Sequence, residues 1–115
     1  MIIDSFVWIE IFQDSQKGRT ALDMMKPQVN STSVLTLAEV ADWCVRNGKD
    51  PGRHVNSIER CAEVISVDRK EALAAGYLKN RLKENRKGIG LIDCLIYACA
   101  ARKGEKLVTG DPHLK

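Results

Sequence analysis

Four carboxylates in this 115-residue sequence stand where apolar runs end or are interrupted. Asp4 closes Met1-Ile2-Ile3, and Asp111 follows Lys106-Leu107-Val108-Thr109 by way of Gly110. Glu39 lies in Leu35-Thr36-Leu37-Ala38-Glu39-Val40, and Asp93 interrupts Leu91-Ile92-Asp93-Cys94-Leu95-Ile96. An ionised side chain among such neighbours needs a partner. If the four gather about 5 Å apart, each pair repels by roughly 3 kcal/mol at an effective dielectric near 20, so the cluster demands a cation. Oxygen-only ligands suit Mg2+ or Mn2+, whereas zinc prefers nitrogen and sulfur. Such ions commonly serve phosphodiester hydrolysis, where they lower the pKa of an attacking water and stabilise the leaving oxygen. The carboxylates therefore imply a nuclease.

Each residue also has a plainer reading. Asp4 can end a strand, Asp111 before Pro112 can form a turn, Glu39 can complete a capping box with Thr36, and Asp93 can complement a helix dipole. The elements that carry them decide between the readings. Apolar patterning and breaker residues place strands at 1–3, 29–33, 64–67 and 106–109. Helical patterns fall between them at 6–12, 18–25, 37–46, 55–62, 69–85 and 91–103. Thr36-x-x-Glu39 and Asp68-x-x-Glu71 match helix-starting boxes, which puts Glu39 in the first turn of its helix, and Gly48, Gly88 and Gly104 follow helix ends. This alternation specifies an α/β fold with a largely parallel sheet covered on both faces. In such a sheet ligands bind outside the carboxyl ends of the strands. All four carboxylates fall on that edge, while Asp14, Glu59 and Glu105 scatter.

Composition narrows the class further. At 44% hydrophobic and 29% charged residues the chain is one ordinary globular domain, not a disordered one. Its apolar stretches are too short to span a membrane, and Asp4 and Glu10 spoil a secretion signal, so a cytoplasmic protein is expected. Cys44, Cys61, Cys94 and Cys99 form no paired motif and are expected to be small buried hydrophobes rather than zinc ligands. Lys79, Arg81, Lys83, Arg86 and Lys87 crowd together against Glu84 alone and could face a polyanion. His54 and His113 are assigned no role. Core packing is expected for most of Trp8, Ile9, Phe12, Leu22 and Trp43; any exposed remainder would form a contact surface.

Four blocks, taken in order, resemble the PIN-domain family across residues 2–114, and in particular its VapC-type toxin ribonucleases of prokaryotic toxin–antitoxin pairs. They are Ile2-Ile3-Asp4-Ser5 with Val7-Trp8-Ile9, Leu35-Thr36-Leu37-Ala38-Glu39-Val40, Ile92-Asp93-Cys94-Leu95-Ile96-Tyr97-Ala98, and Leu107-Val108-Thr109-Gly110-Asp111-Pro112-His113-Leu114. The resemblance implies a Rossmann-like three-layer α/β/α sandwich and a Mg2+- or Mn2+-dependent endoribonuclease. It makes Asp4, Glu39, Asp93 and Asp111 the acidic quartet. Asp4, Asp93 and Asp111 would hold metal, Glu39 would hold metal or steer water, and Ser5 and Thr109 would be secondary polar contacts. An antitoxin and a second copy of the chain are the implied protein partners. The family usually continues past its last acidic block, whereas this sequence stops at Lys115, which implies a domain shortened at its carboxyl end. The alternatives are a PIN-like binding module without catalysis, a solitary RNA-processing nuclease, and a receiver-like phosphoacceptor. The last needs an acidic neighbour beside Asp4, which the sequence lacks.

Overall fold

A computed structural model describes residues 1–82 and 90–109. Asp111, Lys83, Arg86, Lys87, Gly88 and His113 lie outside the described residues. The elements run β1 (Ile2–Ile3), α1 (Ser5–Phe12), α2 (Gln16–Met25), β2 (Ser31–Ser33), α3 (Val34–Arg46) and α4 (Pro51–Cys61). They continue with β3 (Glu63–Ile65), α5 (Arg69–Leu82), α6 (Leu91–Lys103) and β4 (Leu107–Val108). The strands form one parallel sheet in the order β3-β2-β1-β4.

That order explains the layers. The chain first moves outward from β1 through β2 to β3, then returns to lay β4 on the other side of β1. Crossovers between parallel strands share one hand, so reversing direction moves the connecting helices to the opposite face. Ile3, fully buried, packs with Val7, Trp8, Val40 and Ile58 from α1, α3 and α4, together with Met25 of α2. Its neighbour Ile2 points to the other face and packs with Ile96 and Ala100 of α6. Helix α5 reaches that layer through Ala75, against Cys94 and Ala98 of α6. The result is a three-layer α/β/α sandwich. Successive strand residues face opposite ways, so the two isoleucines of a two-residue strand serve both cores, each worth about 1.5–3 kcal/mol on full burial.

Local chemistry starts and stops the helices. Asp4, Ser15, Ser33 and Asp50 cap α1 to α4 by accepting first-turn amides, and Pro51 fits the first position of α4, where no amide hydrogen is needed. The Asp68–Glu71 box forms as expected: the Glu71 carboxylate accepts from the Asp68 amide at 2.9 Å and the Asp68 carboxylate accepts from the Glu71 amide at 2.7 Å. The Thr36–Glu39 box does not form. Ser33 ends β2 and takes the Leu35 amide at 3.1 Å, so α3 starts earlier and Glu39 lies beyond its first turn. Gly104 ends α6 with φ of 62°, a conformation that a side chain disfavours. Cys44, Cys94 and Cys99 are buried as expected, but Cys61, at the last position of α4, is exposed. Trp8 and Trp43 are buried, and Ile9 and Phe12 pack against the same core. His54, on α4, sits edge-on to the Phe12 ring at 4.7 Å.

Helices α1 and α2 approach so closely at Gly18 that a Cβ there would lie 2.2 Å from the Glu10 carbonyl oxygen, a backbone atom that cannot swing aside. Gly76, on α5, has open space around the same position. Gly18→Ala should therefore cost about 1–3 kcal/mol by forcing the helices apart. Gly76→Ala should add roughly 0.5–1 kcal/mol by helix propensity. Denaturant melts of both variants check this; equal effects would contradict the packing.

Candidate functional site

The strand register builds the site. Pairing of Ile3 with Val108 sets Asp4 level with Thr109, and the Asp4 amide donates to the Val108 carbonyl at 3.1 Å. Asp4 and Thr109 thus leave the sheet side by side where strand order reverses, between β1 and β4. Loops diverge to opposite faces at such a switch point and leave a crevice between them.

Asp4 is 2% exposed. Its Oδ1 accepts from the Ser5 amide at 2.7 Å, with the Ser5 hydroxyl at 3.4 Å, and its Oδ2 accepts from the Thr109 hydroxyl at 2.7 Å. Ser5 and Thr109 therefore hold Asp4. The backbone just before it is held as well. The Thr32 hydroxyl on β2 donates to the Ile3 carbonyl at 2.8 Å and accepts from the Trp8 indole at 3.1 Å. Trp8 and Thr32 carry no mark of function in the sequence. The available signal was that a buried tryptophan needs an acceptor for its N–H.

Glu39 reaches the same place from α3. Its carboxyl pKa is raised from 4.5 to about 7, first by burial, then by the negative charge of Asp4 and, less strongly, of Asp93. A hydrogen bond from the Ser5 side chain opposes the rise. Its Oε1 is buried and has no hydrogen-bond partner among the described residues. Thr36, three residues earlier and so on the same side of α3, is fully buried with an equally unpartnered hydroxyl. Asp93, in the first turn of α6, accepts from the Gly90 amide at 3.4 Å, so it serves its own helix while its charge acts on Glu39. Asp4, Glu39 and Asp93 come from three elements on both faces of the sheet, and the charges of Asp4 and Asp93 both act on Glu39.

The donor set fits a hard divalent ion: its oxygens are carboxylate, one is buried without a partner among the described residues, and a cation would offset both the burial and the neighbouring negative charge that raise Glu39. Among the described residues, no three Asp, Glu, His or Cys side chains already converge as a ligand group. Lys79 and Arg81 occupy the last turn of α5. An apolar cavity of about 290 Å3 adjoins the carboxylates, lined by Phe6, Glu10, Lys17, Met24, Val108 and the same Thr109 that binds Asp4.

The model of one family, the PIN domain, matches residues 1–115. The chain belongs to the PIN-domain family. Solved structures agree on the fold. A toxin–antitoxin complex from Klebsiella pneumoniae superimposes with a TM-score of 0.75 at 20% identity, covering 97% of this chain and 92% of that one. VapC20 of Mycobacterium tuberculosis, described as a sarcin–ricin loop cleaving toxin, gives 0.75 at 18% identity over 96% and 90%. VapBC2 of Rickettsia felis, bound to a DNA fragment from its promoter, gives 0.76 at 20% identity over 96% and 86%. No curated protein matches the sequence at a significant level. No helix among the described residues of this PIN domain is long and apolar enough to cross a membrane.

The raised Glu39 pKa makes stability depend on pH. Between pH 4.5 and about 7 the unfolded chain releases the Glu39 proton while the folded PIN domain keeps it. Glu39 therefore costs no stability below 4.5, and it destabilises the fold progressively as pH rises to about 7. In chelator, wild type should lose more melting temperature from pH 5 to pH 8 than Glu39→Gln, and the variant should melt higher at pH 8. Parallel curves for the two proteins would remove the electrostatic coupling.

Proposed function

We propose that this PIN domain is a Mg2+- or Mn2+-dependent endoribonuclease and the toxin of a type II toxin–antitoxin pair. The observation that carries the reading is the meeting of Asp4 and Glu39 at the switch point of the sheet, where Asp4 is buried and Glu39 holds a buried carboxylate oxygen with no partner among the described residues. Asp4, Asp93 and Asp111 would hold the ion, and Glu39 would hold it or accept the proton of an attacking water. When bound, the ion would activate that water and stabilise the leaving oxygen. Ser5 and Thr109 orient Asp4, and the Trp8–Thr32 pair fixes the strand end from which it projects. Kinship in fold with toxins that include a sarcin–ricin loop cleaving protein supports RNA as the substrate, and with toxin–antitoxin complexes, an antitoxin as partner. The cavity between α1 and α2, with Phe6 and Met24 partly exposed, suits an apolar antitoxin segment. The Lys79–Lys87 stretch, of which Lys79 and Arg81 belong to the described residues, would add phosphate contacts.

A quenched-fluorophore RNA should be cleaved with Mn2+ and spared with chelator. Asp4→Asn, Glu39→Gln and Asp93→Asn should each lose roughly 10- to 100-fold or more. RNA binding without cleavage by wild type would favour the inactive binding module.

Thermal melts of Asp93→Asn separate its two roles. A site residue relieved of like charge should melt higher than wild type in chelator and gain less from Mn2+. A variant that loses up to about 1 kcal/mol in chelator and responds to Mn2+ as wild type does would leave Asp93 a helix-end residue only.

A further inference from the structure

The layer opposite the α1–α2 cavity carries a second groove, of about 420 Å3, between α5 and α6. Tyr77, Tyr97, Arg81, Arg102, Ala98 and Ala101 line it. Both tyrosines of the chain are here, and they stand in water, 78% and 45% exposed. Tyr97 follows Asp93 by four residues and Ala101 follows Tyr97 by four, so the three lie along one side of α6 at steps of about 6 Å. The groove therefore opens one helical turn from a carboxylate whose charge reaches Glu39.

Charge selects the occupant. Helices α5 and α6 hold six Lys and Arg against two Asp and Glu, while the rest of the chain holds twelve against thirteen. The whole positive excess of the protein thus lies in these two helices. Of the two acids, Glu71 is buried. Arg102 has a loose 3.8 Å ion pair with Asp68, and a guanidinium with five N–H donors has others to offer. An apolar protein partner would not need this excess; a polyanion would.

The geometry points to this α5–α6 groove as a binding track for single-stranded RNA, with Tyr77 and Tyr97 stacking on unpaired bases and Arg81 and Arg102 meeting phosphates. It rests on the ribonuclease reading and names the path by which a strand would reach the carboxylates. Exposed aromatic faces recognise unstacked bases, which a duplex hides.

Anisotropy of a fluorescein-labelled, mixed-sequence 12-nucleotide RNA with the full chain in EDTA tests this without cleavage. Tyr77→Ala should weaken binding by roughly five-fold or more, and so should Tyr97→Leu, which keeps apolar volume in the half-buried position. Tyr77→Phe should bind within about two-fold of wild type because the ring remains. Arg81→Gln should lower the slope of log affinity against log salt by about 0.7. Unchanged affinity in both tyrosine variants would overturn the track, as would equal affinity for a 12-base-pair duplex. A wild-type dimer that these variants dissociate, with RNA affinity unchanged, would overturn it too and make the groove an interface between copies. Groove-dependent binding by a protein that never cleaves RNA with Mn2+ would support the track and sink the nuclease reading. Cleavage with groove-independent binding would sink the track alone.

Discussion

Removing a carboxylate from water is costly unless other groups replace the lost hydrogen bonds. Asp4 meets that condition at the end of a two-residue strand, and much of the surrounding structure supplies it. Its own helix gives the Ser5 amide, and β4 brings Thr109 across the sheet from 105 positions away. Thr32 then ties the peptide immediately before Asp4 to β2 and to the underside of α1. The strands are short, but this is where they need to be exact in register. A one-residue slip would turn Ile2 and Ile3 to the wrong cores and move Thr109 away from Asp4.

The second carboxylate makes the arrangement unfavourable on its own. Glu39 is half-buried beside a charge that is already satisfied, so its proton stays on to about pH 7. A fold optimised for stability alone would place an amide there. Two acids, with a third acting from α6, put a negative potential in the crevice, which on the proposed reading a divalent ion would balance. Two hydrophobic layers clamp the sheet on either side of this site.

Those layers divide the labour. Helices α1 to α4 cover one face, and α1 and α2 with the end of β4 frame the apolar cavity beside Thr109. Helices α5 and α6 cover the other and carry the positive excess and both tyrosines. Because β4 returns to the far side of β1, the site lies where the layers part, open to both. Identity near 20% with solved toxins suffices to preserve this plan, since it depends on apolar periodicity, strand order and a few polar groups rather than on most side chains.

The sequence by itself determined the succession of elements and the carboxylates that end or interrupt them, because periodicity and helix caps act between residues a few positions apart. Four strands and six helices read this way all appear, with shifts of one to four residues at most described ends. The Asp68–Glu71 box formed because both halves lie within one helical turn. The Thr36–Glu39 pattern was equally legible and misleading, since Ser33, freed at the end of a strand, captured the helix start first. Tertiary structure decided what depends on remote pairs. It brought Thr109 to Asp4, gave the Trp8 indole its acceptor, left Cys61 outside the core, and placed Asp4 and Asp93 near enough to raise Glu39. Desolvation and Coulomb energy depend on distance in space, and strand order, which sets that distance here, is written in no single segment of the chain.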